Sequence, residues 1–251
     1  MKPINVLTVC LIMIVIVACA TPSQKGFKAY TQQKYDKSIN FYTKAIDAGD
    51  LSKQELADAY IHRGNARRFT GEYDLAIIDL TKALELNPVD DGFSYRSNIK
   101  DVYLCRGLAF GEKGDYDHAL EDYNSAIKID PQYGVLYTYR GDVWSRKGNY
   151  YKAIEDYNRA IDIWPDEPDA YSRLAWLLST CPDNRFRDGR RSVEMAKKAI
   201  HLTKWEFQNS QHFSSLAAAY AEVGEFEKAV ESQETAIEIC RKYRGKKNWR
   251  V

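Results

Sequence analysis

In the middle of the chain, apolar and small residues recur at helical spacing. Tyr103, Gly107 and Phe110 stand four and three residues apart and share one helical face. Gly114 and Asp115 then break the rhythm, the glycine allowing a sharp turn and the aspartate capping the next helix. Tyr116, Ala119, Leu120, Tyr123, Ala126 and Ile127 form the apolar stripe of that second helix, which Pro131 ends. The spacing therefore predicts a helix–turn–helix unit, and the unit recurs. Arg106–Pro131 returns as Arg140–Pro165, 34 residues later, and an earlier copy spans Arg63–Pro88. A fixed period of this length predicts stacked helix pairs rather than one globular core.

Weaker copies flank these three. Gly26, Tyr35, Tyr42 and Ala45 mark a worn first copy, with Ser38 where a small alanine is expected. Gly26 to Gly64 is 38 residues, so about four extra residues lie around Ala48–Ser52. Gly64 to Gly107 is 43 residues. The insert responsible, 89–100, holds Gly92, Phe93 and Tyr95, and is either a loop or a backward extension of the next helix. After Pro165, Tyr171–Leu178 is a first helix with Ala175 at the glycine place. An expanded turn, Ser179–Gly189, leads to a helix Arg190–Leu202 with Val193, Ala196, Ala199 and Ile200 on one face. The last copy, Phe213–Ile239, carries Ala217, Tyr220, Gly224, Phe226, Ala229 and Ala236. Six repeats are counted over 26–240, and they are expected to form one elongated unit with a continuous core.

The repeated residues resemble the tetratricopeptide repeat. The matching positions are Tyr103, Gly107, Phe110, Ala119, Tyr123 and Pro131; then Tyr137, Gly141, Trp144, Ala153, Tyr157 and Pro165; and earlier Tyr60, Gly64, Ala76, Leu80 and Pro88, with Arg67 in place of an aromatic. The resemblance implies an all-α, right-handed superhelical solenoid of about six helix pairs. The block from Leu174 to Ile200 is similar to a variant found in C-terminal repeats of bacterial members. One departure is informative. The residue before the glycine is usually leucine, but here it is Arg63, Arg106 and Arg140, and Asp79, Asp122 and Asp156 follow each by 16 residues. In the last copy Leu216 and Ser232 replace both charges together. An Arg–Asp pair bridging the two helices of each central repeat is the expectation.

The first twenty residues obey a different rule. Lys2 precedes a run, Val6–Val17, that is apolar apart from Thr8 and too short to span a bilayer. Its end, Ile16-Val17-Ala18-Cys19, resembles the lipobox of bacterial lipoproteins. That resemblance implies a signal peptide over 1–18, a lipidated Cys19, and a polar tether through residue 25. Ala20, where aspartate would favour inner-membrane retention, points to an outer-membrane anchor facing the periplasm. The first helix starts close to this anchor and is expected to be short or frayed. At the other end, 241–251 is basic, with Arg241, Lys242, Arg244, Lys246, Lys247 and Arg250 beside Trp249. It is either a solvated helix end or an attractor for an anionic surface.

Charge and chemistry then narrow the function. The chain has 36 basic and 35 acidic residues, so nothing in its bulk charge suits nucleic acid. The histidines, His62, His118, His201 and His212, are scattered over different repeats, and no metal, phosphate or nucleophile motif accompanies them. The expectation is a non-enzyme without metal, cofactor or small-molecule substrate. Cys105, Cys181 and Cys240 are expected as free thiols. Cys181 lies in a turn and Cys240 ends a second helix, at opposite edges about 18 Å apart.

What remains is binding. In stacks of this family the first helices line a concave groove. The positions there are His62, Asn65, Arg68, Cys105, Leu108, Tyr139, Asp142, Arg146, Arg173 and Trp176, a mixed, aromatic set suited to an extended peptide or a partner helix. Tyr139 and Trp176 could instead contact the adjacent first helix. Family members that clamp C-terminal carboxylates use a lysine and asparagines, of which Asn65 alone matches. The alternative is an assembly platform or spacer of an envelope complex, working through its outer face and its ends.

Overall fold

A computed structural model describes residues 21–86, 99–203 and 209–243. Among them are twelve α-helices and no strand, in six consecutive helix–turn–helix segments. These are α1 (Pro22–Thr31) and α2 (Tyr35–Ala48), α3 (Lys53–Phe69) and α4 (Tyr73–Glu85), α5 (Ile99–Lys113) and α6 (Tyr116–Ile129). The second half holds α7 (Gly134–Arg146) and α8 (Tyr150–Ile163), α9 (Pro168–Thr180) and α10 (Gly189–Leu202), and α11 (Asn209–Glu222) and α12 (Phe226–Tyr243). A short 3₁₀ turn, Asn184–Phe186, occupies the expanded connection before α10. The expected all-helical stack is present.

The helices form two compact units that divide between Ala109 and Phe110, inside α5, rather than the single unit expected. The division comes just after the longest inter-repeat spacing. The insert aromatics Phe93 and Tyr95, the stretch carrying Cys19, and the tail from Arg244 onward lie outside the described residues. The tether reading is corrected at its far end: α1 begins at Pro22, so residues 22–25 are helical. Thr21 caps that helix, accepting from the Gln24 amide while the Gln24 side chain accepts from the Thr21 amide. With proline at the first position and a full capping box, the helix is short but anchored.

The turns inside the pairs obey one rule. Gly71, Gly114, Gly148 and Gly224 all have positive φ, between +78° and +91°, which lets the chain reverse in three residues. In the first repeat Gln33 takes that place at φ +56°. Close approach within a pair depends on a second glycine. A Cβ on Gly141 would lie 2.8 Å from the Tyr157 ring, so α7 and α8 meet at a distance only glycine permits. In each unit helices adjacent in sequence pack together, and in the second unit the first helices α7, α9 and α11 also touch one another in turn.

Two of the three expected charge pairs, those of Arg63 and Arg140, are present, and with an addition. Arg63 holds Asp79 through Nε and Nη2, at 2.9 and 2.8 Å, and Arg140 holds Asp156 the same way, at 2.8 and 2.6 Å. Arg106 belongs to the first unit and Asp122 to the second. Each arginine also reaches backward through Nη1: Arg63 to Thr43 at 3.0 Å, Arg106 to Thr81 at 3.0 Å, and Arg140 to Asn124 at 2.7 Å. These links span 20, 25 and 16 residues. The differences are the same four and nine residues by which the first two repeat spacings exceed 34, so the acceptors share one repeat position. The next acceptor in the series is Asn158. Leu174 stands at its arginine place, and Arg191 of α10 supplies the bond instead, at 2.7 Å. The guanidinium thus ties a repeat to itself and to the one before it.

Candidate binding groove

In the second unit, α7, α9 and α11 present one shared face, and a groove of about 460 Å³ opens along it. Four of the expected residues line it: Asp142 and Arg146 from α7, and Arg173 and Trp176 from α9. The i, i+3 and i, i+4 steps on each helix bring them to the same side. Ser145, Tyr157, Ser172, Leu177, Gln211, Ser214 and Ser215 complete the lining. The sequence reading missed these seven. Ser145 and Ser172 could have been found, because they adjoin Arg146 and Arg173 on the same helices. Gln211, Ser214 and Ser215 belong to the last repeat, where the sequence reading placed no groove residue.

Inside the groove some groups are spent and others are free. Asp142 accepts from the Tyr157 hydroxyl at 2.8 Å through Oδ1 and pairs with Arg173 Nη1 through Oδ2. Burial and the neighbouring Asp142 carboxylate push the Tyr157 phenol far above its ordinary value, so it remains a donor at any physiological pH. Burial opposes the charge on Arg173, but Asp142 outweighs it and holds the guanidinium charged. The Arg173 guanidinium also lies over the Tyr139 ring, 5.6 Å from its centroid. Tyr139 is half-buried there and faces Tyr123 across 6.4 Å, so it supports the floor rather than lining the groove. Ser172 and Ser215 share a hydrogen bond of 3.0 Å, joining α9 to α11. Open to an incoming group are Trp176, 51% exposed, and the exposed Arg146. Beside the neutralised Asp142–Arg173 pair, Arg146 leaves the site with a surplus positive charge.

The first unit treats its expected residues differently. His62 sits among the Phe27, Tyr30 and Tyr42 rings, at centroid distances of 5.4, 5.7 and 5.5 Å. Burial lowers its pKa to about 4, so the ring is neutral. Asn65 is buried and its side chain bonds the Cys105 thiol, whose own pKa burial raises. The Arg68 guanidinium covers the Phe69 ring at 4.2 Å, and Leu108 is half-buried. His62 and Asn65 are therefore packing residues between helices. Short polar side chains and aromatic rings look alike in sequence whether they line a groove or fill a joint.

Among the described residues no three or more metal-ligating side chains cluster, and no helix is long and apolar enough to cross a membrane. Cys105, Cys181 and Cys240 are free.

Comparisons with known proteins agree with the helix pairs. Family models described as tetratricopeptide repeat match residues 57–90, 101–133 and 214–243, and one described as TPR repeat matches 141–178. No curated protein matches the chain in sequence. Solved structures do match in fold. A MamA protein is 22% identical, with a TM-score of 0.54, covering 78% of this chain and 98% of its own. BtubC (BKLC) from P. vanneervenii is 15% identical, with a TM-score of 0.62, covering 90% of this chain and 94% of its own. The Cut9–Hcn1 hetero-tetramer of APC/C is 14% identical at a TM-score of 0.68, with 88% of this chain matched to 39% of that one. With repeat matches over more than half its length and helix pairs at the same places, the chain belongs to the tetratricopeptide-repeat family.

Proposed function

We propose that this chain is a non-catalytic interaction module, lipid-anchored in the bacterial envelope through Cys19, that holds an extended segment of a partner protein along α7, α9 and α11. The observation that carries the reading is the half-exposed Trp176 beside the exposed Arg146, in a groove where Asp142 and Arg173 already pair with each other. A large aromatic ring in the wall of a concave groove is the kind of anchor that binding sites use. The chemistry specifies the segment: an apolar or aromatic side chain against Trp176 and Leu177, with a carboxylate beside it for Arg146. The Ser145 hydroxyl and the Gln211 amide line the groove where they can bond its backbone. The proposed anchor rests on the Ile16–Cys19 motif, and Ala20 after it supports an outer-membrane position facing the periplasm.

The groove is tested by isolating partners from the native host on the immobilised full chain and on Trp176→Ala and Arg146→Glu variants. A protein retained by the first and lost from both variants supports the reading; retention by all three refutes it. The anchor is tested separately, by labelled fatty-acid incorporation that disappears in Cys19→Ser. Label persisting in that variant would refute lipidation at Cys19.

A further inference from the structure

Helix α12 has two apolar faces. Ala229, Ser232, Ala236 and Ile239 are buried where it packs with α11. Phe226, Val230, Gln233, Ile237 and Cys240 succeed one another at alternating steps of four and three, and all are exposed, Phe226 at 65% and Val230 at 57%. That alternation is the 3.5-residue period of a seam between two helices. The same repeat positions are covered in the third repeat. Leu120 and Tyr123 of α6 are buried, and Ile127 packs against Tyr137 of α7, the next helix in the chain. On α12 no helix among the described residues takes that place. A cleft of about 290 Å³ runs along the same edge, lined by Ser214, Gln233, Ala236, Ile237, Cys240 and Arg241. A contiguous apolar stripe of this length, beside a cleft, calls for a cover.

We propose that the cover is a second copy of this chain, docked α12 against α12 in antiparallel fashion about a two-fold axis. The charges choose that arrangement. Glu227, Glu234 and Arg241 each come directly after a seam residue, so they flank the seam on one side; the equivalent positions on the other side are Ala229 and Ala236. A parallel pair would set the charged flank of each helix against alanines. An antiparallel pair sets charged flank against charged flank, with Arg241 opposite the partner's Glu227, twice by symmetry. This register places Val230 opposite the partner's Cys240 and Gln233 opposite the partner's Ile237. The two Glu234 carboxylates approach each other near the axis and weaken the seam. A contact one helix wide is small, in the range of transient interfaces.

The register is tested by mild oxidation of the full chain carrying Val230→Cys. Within one α12 that position is ten residues from Cys240, about 15 Å along the axis and beyond disulfide reach, so a bond between them must join two copies. The expected result is a disulfide-linked dimer that is lost when Cys240→Ser is added. Sedimentation of the unmodified chain should show a monomer–dimer equilibrium. Ile237→Glu should weaken it by about tenfold or more through like-charge and desolvation costs, and Gln233→Glu, at an exposed position, should do so with little folding penalty. A monomer at every concentration, a ladder of higher oligomers, a dimer unaffected by both substitutions, or a disulfide that survives Cys240→Ser would each overturn the proposal.

Discussion

Arg63 on α3 and Asp79 on α4 meet through two parallel hydrogen bonds, Nε to Oδ2 and Nη2 to Oδ1, with the carboxylate almost wholly buried. Arg67 adds a third, at 2.7 Å to the same Oδ2. Such a pair contributes register more than net stability, because each charge gave up water to enter. Asp79→Ala strands two guanidinium groups and should cost about 3–5 kcal/mol in urea unfolding. Arg63→Leu combined with Asp79→Leu should recover most of that loss. If the double variant is as unstable as the sum of the single ones, the residues are not coupled and the clamp account fails.

The second prediction concerns pH. Burial holds His62 at about 4 against an ordinary 6.5. The unfolded chain takes up the proton first, so stability from neutral His62 is complete above pH 6.5 and is lost as pH falls toward 4. The loss is on the order of 3 kcal/mol in total. Buried His212, with neither ring nitrogen hydrogen-bonded within the structure, is also shifted down by burial and acts in the same direction. Denaturant titrations across pH 4–7 should show this fall, and His62→Phe should flatten it. An unchanged slope in His62→Phe would contradict the aromatic packing described for that ring.

Two glycines should respond oppositely to alanine. A Cβ on Gly141 meets the Tyr157 ring at 2.8 Å, whereas one on Gly111 meets nothing closer than 3.8 Å. Gly141→Ala should destabilise by about 1–3 kcal/mol as the helices are forced apart. Gly111→Ala, in the last turn of α5 with room for the methyl, should stabilise by up to about 0.5 kcal/mol. Thermal unfolding of the two variants compares them directly.

A fourth prediction concerns the first turn. Gln33 is exposed and carries φ +56°, where the later repeats use glycine. Gln33→Gly should raise stability by up to about 1 kcal/mol, strain relief exceeding the added chain entropy. A fall in melting temperature would mean that the Gln33 side chain holds that turn in some other way.

Much of the fold was legible because repetition averages out local ambiguity. Gly107, Gly141 and their aromatic neighbours identify the helix pairs, and the arginine–aspartate spacing of 16 residues identifies the clamps. The backward link from each arginine was also written in the sequence, as Thr43, Thr81, Asn124 and Asn158 at one repeat position, but the insertions of unequal length obscured it. The groove was half legible. Helical periodicity places Asp142, Arg146, Arg173 and Trp176 on one side. Periodicity says nothing of whether a neighbouring ring closes over that side, which is why His62 reads as a surface residue in sequence and lies in an aromatic joint. The division inside α5 had no local signal beyond the long spacing before it.

The most direct test of the groove is photo-crosslinking in the native host, with the photoreactive side chain at Trp176 and, in parallel, at Tyr151, which is 67% exposed on α8. Trp176 reports better than Tyr139, which Arg173 covers. A discrete adduct of one mass from Trp176, absent from Tyr151, is the predicted result and identifies the partner. Adducts from Tyr151 with none from Trp176 would contradict the groove and assign binding to the outer face.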